Sequence, residues 1–170
     1  GVVPDILCLS KGLTGGAVPL AVTLATPAIY QAHYSSDRSQ QFFHSSSYTA
    51  NPIACAAALA NLDVWREEPV MARIGELSAR QAAGLARLAG LPGIISPRQC
   101  GTMIAVDIAV GDAGYLADVG PGLKAFFTER GLLLRPLGNT VYVMPPYCIS
   151  GEDLSALHDA IADAARVYGG

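Results

Sequence analysis

Pro4 to Gly16 reads PDILCLSKGLTGG: an apolar run from Ile6 to Leu9, a polar Ser10-Lys11 step, then a glycine-rich turn. The run predicts a buried strand, and the glycines predict a chain reversal directly after it. Lys11 therefore stands as a lone ammonium at the end of an apolar strand. Desolvated there, its amine would be a usable nucleophile toward a carbonyl, which is what Schiff-base chemistry needs. The competing reading is a strand-end lysine whose charge reaches water along its apolar stem. The order of residues argues against a phosphate-binding GxxxxGK(S/T) loop, because here the glycines follow the lysine. No strand or helix is readable before Ile6, so the expectation is the tail portion of a longer chain.

Beyond this segment, Ala17 to Thr26 leans toward a second strand. Pro27 with AIYQAHY predicts a short helix ended by Ser35 and Ser36. Gln40 to Ser47 reads as a loop carrying Phe42, Phe43 and His44. From Asn51, NPIACAAALANLDVWREEP predicts a long helix with Asn51 as its cap and Pro52 at its first position. Its small side chains would let another backbone approach, so the helix is expected to be buried. After Pro69 the apolar positions Ile74, Leu77, Leu85 and Leu88 predict an amphipathic helix ended by Gly90. Strands follow at Gly93 to Pro97 and Met103 to Ile108, around an Arg-Gln-Cys-Gly turn. A helix is expected from Pro121 to Arg130, and strands at Gly131 to Leu134 and Thr140 to Met144. Ser150 with Glu152 and Asp153 starts a last helix, whose Leu154, Leu157, Ile161 and Ala165 share one face. The fold class is α/β: residues 1–69 read as the remnant of a larger domain with a connecting helix, and residues 70–170 as a small α/β domain.

Composition narrows the function. The 170 residues are 51% hydrophobic and only 15% charged, well under the roughly 25% of an ordinary domain, so a subunit or domain interface is expected. Nine arginines and two lysines against 14 acids leave a net charge of -3, which speaks against a nucleic-acid surface. The four cysteines, Cys8, Cys55, Cys100 and Cys148, are far apart and read as reduced core thiols, with no metal-ligand spacing. No apolar run of about 20 residues suggests a membrane span, and no leader pattern is present, so a cytoplasmic setting is the expectation.

Several residues could carry chemistry. Ser45, Ser46, Ser47 and Thr49 precede the Asn51 helix start and could offer hydroxyls and N–H groups to a phosphate, or form a solvated, capping loop. Arg135 follows an apolar stretch and precedes Pro136; its fork could grip a carboxylate or form a surface ion pair. Tyr142 and Tyr147 frame VMPP and could line a pocket or pack the core. His33 and His158 read as surface or capping residues. No nucleophile elbow, HExxH or GxGxxG pattern occurs, which removes hydrolase and dinucleotide readings.

Taken together, PDILCLSKGLTGG, HSSSYTANPIACAAALA and LLLRPLGNTVYVMPPY resemble the C-terminal part of the class III aminotransferases of fold type I, which use pyridoxal 5′-phosphate (PLP). The resemblance covers essentially the whole chain. RPLGNTVYVMPPY is the more specific signal, for the biotin-synthesis branch of the class. The resemblance implies that Lys11 holds the cofactor covalently and moves a proton during transfer. It implies that Ser46 and Ser47 reach the cofactor phosphate bound by a partner subunit, in a homodimer whose active site lies at the subunit interface. It implies that Ser45 forms part of the substrate wall, that Arg135 receives the carboxylate of an amino-oxo acid, and that Tyr142 lines the same pocket. Relatives often carry threonine at the Ser47 position and glycine at the Ser45 position. The implied reaction is a ping-pong exchange with S-adenosylmethionine as amino donor. Another ω-aminotransferase of the class, or a non-catalytic module of this fold, are the alternatives. The acid facing the pyridine nitrogen, the stacked aromatic ring and a Gly-Ser phosphate loop are expected upstream, so residues 1–170 alone are expected to give no appreciable transamination.

Overall fold

Alternating apolar residues with β-branched and small neighbours place strand β1 at Ile6–Ser10, antiparallel to β2 at Ala21–Ala25, with Ile6 opposite Ala25 and Ser10 opposite Ala21. Pro19 and the glycine turn keep the second strand shorter than the apolar run that contains it. The computed structural model describes all 170 residues and divides into two units, Gly1–Pro69 and Val70–Gly170.

In the first unit a four-residue 3₁₀ turn, Lys11–Thr14, follows β1. Helix α1 covers Pro27–His33, and a short 3₁₀ turn lies at Arg38–Gln40. Helix α2, Pro52–Glu67, starts as expected: Pro52 occupies the first turn, where its missing N–H costs nothing, and the Asn51 Oδ1 accepts the Ile53 N–H at 3.0 Å. Two expectations fail in this unit. Strand β1 is exposed along its whole length, because it belongs to a two-stranded sheet whose contacts are with β2 and the 3₁₀ turn. Helix α2 buries only Ala54, and Ile53, Leu59 and Leu62 are exposed.

The second unit runs α3 (Val70–Leu88), β3 (Ile94–Cys100), β4 (Met103–Ile108), α4 (Val119–Glu129), β5 (Thr140–Val143) and α5 (Gly151–Tyr168). The strands form one antiparallel sheet in the order β3-β4-β5. Ile104, Val106, Ile108, Val141 and Val143 point to one face and pack with Leu77 and Leu88 of α3, Leu123 and Phe127 of α4, and Leu154 and Ile161 of α5. Each such side chain contributes roughly 1.5 to 3 kcal/mol on burial, so this core is the main source of stability. Ser150 caps α5 by accepting the Asp153 N–H at 2.9 Å, while its own hydroxyl donates to the Asp153 carboxylate at 2.7 Å.

The segment Gly131 to Leu134 is not a strand. Leu132 and Leu134 pack against the core and Leu133 is 96% exposed, but the Leu132 N–H turns back to the Phe127 carbonyl at 2.9 Å and Pro136 has no N–H for a ladder. Strand β3 also runs further than expected, through Cys100, because a bulge between Ile95 and Arg98 absorbs one residue. The cysteines form no disulfide, but three of the four are exposed, since Cys8, Cys100 and Cys148 lie on strand faces or loops that this chain leaves open.

His158 is a further correction: it is buried at 3% exposure between α3 and α5. The Gln81 Nε2 donates to the Thr102 carbonyl at 3.0 Å, so the Gln81 Oε1 is left to accept from the His158 Nε2 at 2.8 Å, which fixes the hydrogen on that nitrogen. The ring lies against Gly84, where a Cβ would fall 2.1 Å from the imidazole Cε1. Burial first, and then the Arg87 guanidinium, hold His158 below its ordinary value, with Asp159 opposing. The unfolded chain therefore takes up the proton first as pH falls, so stability is full above about pH 6.5 and declines below it. Denaturant midpoints at pH 7.5 and pH 5 should show this fall, and in His158→Asn the part due to this ring should vanish; an unchanged pH slope would contradict the account. Gly84→Ala should cost about 1 to 3 kcal/mol in the same assay, through the imidazole it displaces.

Candidate active site

Lys11 opens the 3₁₀ turn with φ at +50°, a left-handed conformation that costs a residue with a Cβ on the order of 1 to 3 kcal/mol and recurs at functional sites. Gly15 and Gly16, at φ +60° and +85°, complete the reversal, which is why glycines stand there. The side chain of Lys11 is exposed and makes no ion pair or hydrogen bond in the chain. The desolvation expected of it is not supplied by residues 1–170, because β1 before it is itself uncovered.

The turn is nevertheless held firmly from outside. The Asn61 Nδ2, on α2, donates to the Gly12 carbonyl at 2.9 Å and the Leu13 carbonyl at 3.2 Å. Thr14, buried, donates its hydroxyl to the Val18 carbonyl at 2.6 Å. A Cβ at Gly15 would approach the Asn61 Oδ1 to 3.3 Å. Sequence reasoning missed Asn61, whose only signal was a polar residue among the alanines of a helix read as buried.

Ser45, Ser46 and Ser47 are exposed and lead into the turn before α2. The Thr49 N–H bonds the Ser46 carbonyl at 3.2 Å and the Thr49 hydroxyl the Ser45 carbonyl at 3.3 Å, leaving the serine hydroxyls directed by a closed backbone turn rather than by each other. None of them bonds the Lys11 turn.

Arg135 and Tyr142 belong to the second unit, on either side of one tight turn. Leu137 and Thr140 exchange backbone hydrogen bonds of 2.9 and 3.0 Å, with Gly138 and Asn139 between them. Gly138 has φ +59°, as the first central position of a two-residue hairpin of type II′ requires. Arg135 is exposed and makes no ion pair, unlike Arg66 with Asp63, Arg87 with Asp159, Arg98 with Asp107 and Arg166 with Asp163. The surface ion pair that the sequence allowed for Arg135 is thus not formed.

Tyr142 is half-buried on the open face of the β3-β4-β5 sheet, opposite Ala105, which in turn faces Arg98. The next row holds Ile95, Asp107 and Thr140. The Asp107 Oδ1 accepts from the Arg98 Nη2 at 2.9 Å and from the Thr140 hydroxyl at 2.7 Å. Partial burial pushes the Asp107 carboxyl up, but the bonds and charge of Arg98, with the hydroxyls of Thr140 and Ser96, hold it below its ordinary value. Tyr147 lies elsewhere, on a cleft of about 370 Å³ with Arg73, Glu76, Leu77, Arg80, Cys148 and Ile149. That cleft contains none of Lys11, Ser45, Ser46, Ser47, Arg135 and Tyr142, so concavity alone does not locate the site.

The structure thus shows a strand-end lysine in a strained, braced turn, an exposed hydroxyl loop, and an exposed arginine and a half-buried tyrosine on the two sides of one hairpin turn. The chain belongs to the class-III aminotransferases, whose family model matches residues 1–165. Among individual proteins it is similar to the adenosylmethionine-8-amino-7-oxononanoate aminotransferase of Synechococcus elongatus, 42% identical over 163 residues that cover 96% of this chain and 38% of that protein. The crystal structure of the enzyme of that name from Methanocaldococcus jannaschii superposes with a TM-score of 0.88 at 33% identity, over 98% of this chain and 39% of that one. A thermostable (S)-enantioselective ω-transaminase from Thermomicrobium roseum gives a TM-score of 0.86 at 30% identity, over 98% of this chain and 38% of that one. The chain thus spans about two fifths of the length of these relatives. Its fold is that of the fold-type I aminotransferases over the part it covers.

Asn61→Ala should free the Leu13 carbonyl and leave the Gly12 carbonyl with the Gly15 N–H alone. Amide hydrogen exchange should then quicken at Gly15 and Ala17, whose N–H groups close the turn, while β4 and β5 stay protected. Unchanged protection at both amides would mean that Asn61 does not brace the lysine turn.

Proposed function

We propose that this chain is the C-terminal portion of an enzyme that moves the amino group of S-adenosylmethionine to 8-amino-7-oxononanoate, forming 7,8-diaminononanoate for biotin. The observation that carries the reading is Lys11: an exposed amine at a strand end, at φ +50°, opening a turn that Asn61 braces through Gly12 and Leu13. The residues fit PLP. Lys11 would hold it through Nζ, and Ser46 and Ser47 would offer hydroxyls to its phosphate. Bound there, PLP supplies an electron sink for the carbon bearing the amino group. Lys11 would be the group that takes and returns the proton at that carbon through Nζ. Arg135 would grip the substrate carboxylate through both guanidinium nitrogens, and Tyr142 and Ser45 would wall the same pocket.

The site is completed by other polypeptide. Residues 1–69 serve as part of the large cofactor-binding domain and residues 70–170 as the small domain of a cytoplasmic homodimer. Phe42, Phe43, Tyr48 and Ile53, each at least 65% exposed, support a surface covered by the rest of the enzyme and by a second subunit. That loop carries the serines, which supports their reaching the partner's cofactor.

In the full-length enzyme, PLP should give an absorbance band near the visible edge, and borohydride should fix the cofactor on the peptide containing Lys11. Lys11→Ala should show neither; an adduct on another lysine would overturn the assignment. S-adenosylmethionine should be the preferred donor. The likeness to the ω-transaminase of Thermomicrobium roseum favours, as second reading, an enzyme acting on ω-amines, and faster transfer from such amines would select it.

A further inference from the structure

Arg135 lies in a stretch without ladder hydrogen bonds, so what holds its backbone must come from its neighbours. On its N-terminal side Leu132 and Leu134 pack on the core. On its C-terminal side stands the Leu137–Thr140 turn, and there the ties are unusually dense. Asn139 is 4% exposed. Its Nδ2 donates to the Ile108 carbonyl at 2.9 Å, its Oδ1 accepts the Gly114 N–H at 2.8 Å, and its backbone carbonyl accepts the Ile108 N–H at 2.8 Å. Gly138 lets the loop at Gly114 close on the turn, since a Cβ there would fall 1.8 Å from the Gly114 carbonyl oxygen. Thr140, the last turn residue, is pinned to Asp107, which Arg98 holds in turn.

Arg98 reaches Asp107 only because of the bulge. Continued without it, the Ile95–Asp107 register would set Arg98 opposite Ile104, on the core face; the extra residue pairs it with Ala105 and turns it to the open face. Ser96, at φ +51°, carries that bulge, and its carbonyl accepts the Arg98 Nη1 at 2.8 Å. The strain and the network therefore converge on the turn from which Arg135 and Tyr142 project in opposite chain directions.

We propose that Asn139, seated by Gly138 and backed by the Asp107–Thr140 bond, is a positioning residue that sets Arg135 for the substrate carboxylate. It touches no substrate itself. The inference rests on Arg135 being the carboxylate receiver, and it adds why the turn between Arg135 and Tyr142 carries a buried amide. Loss of the amide leaves the Arg135 guanidinium chemically intact and lets the turn shift, and small misplacements of a binding group are costly.

The test uses the full-length enzyme loaded with PLP, with 8-amino-7-oxononanoate and its methyl ester as acceptors. Asn139→Ala should raise KM for the acid about tenfold, leaving kcat/KM for the ester and the cofactor absorbance unchanged. In an Arg135→Ala background it should add nothing to the acid's KM, because its effect passes through Arg135. Equal losses on acid and ester, an unchanged acid KM, or full additivity would overturn the proposal. If Arg135→Ala itself fails to separate acid from ester, the carboxylate reading falls and this inference with it; if it separates them and Asn139→Ala does not, only the positioning role falls. Should Asn139→Ala fail to fold, Thr140→Val removes a single hydroxyl bond and should shift the acid's KM in the same direction by about threefold, and no shift there overturns the proposal.

Discussion

The β3-β4-β5 sheet buries one face and leaves the other open, and the arrangement of the second unit follows from that constraint. Ile104, Val106, Ile108, Val141 and Val143 must stay in the core with α3, α4 and α5. Side chains alternate along each strand, so Ala105, Asp107, Thr140 and Tyr142 have no choice but the open face. A slip of one residue in either pair would exchange the two sets and place Asp107 among Phe127 and Leu123. The cost of burying that carboxylate, together with the lost apolar burial, makes the register firm. The open-face side chains are thus positioned by the hydrophobic core they turn away from.

Polar side chains do the finer placement, and they do so by taking up backbone groups that no ladder can satisfy. Asn61 takes the Leu13 carbonyl and adds a second donor to the Gly12 carbonyl, which already accepts the Gly15 N–H. Asn139 takes the Ile108 carbonyl and the Gly114 N–H, where β4 ends and the next loop begins. Each amide closes a gap beside a residue assigned to chemistry. Gln81 plays the same part at the Thr102 carbonyl, but its other end is spent on His158, which makes that pair a structural joint between helices. Buried amides serve well here because each offers a donor and an acceptor and carries no charge to desolvate.

Much of this was legible in the residue pattern, and the rest was not, for identifiable reasons. Period and capping signals placed α2, α3 and α5, because the caps Asn51-Pro52 and Ser150 with Asp153 act within one turn of helix and the Leu77 to Leu88 rhythm repeats over about three turns. Segment 131–134 was misread as a strand because its apolar leucines pack on the core without a hydrogen-bonding neighbour, and periodicity records burial rather than pairing. His158 escaped because a lone histidine becomes interior only where a glycine, Gly84, lies 74 positions earlier on a facing helix. Arg98 escaped because the bulge that turns it outward depends on how β3 meets β4.

What the sequence by itself determined is the set of candidate groups: a single lysine after an apolar strand, a hydroxyl loop before a capped helix, and an arginine and tyrosine around a Gly-Asn turn. These are local, since each depends on the residue types within a few positions. Only the tertiary structure decided which side chains hold those groups in place, because Asn61, Asn139, Asp107 and Arg98 act on partners brought close by packing. It also decided that Lys11 and α2 stand uncovered within residues 1–170, since burial is a property of all the surfaces that meet there and not of the segment that carries the apolar residues.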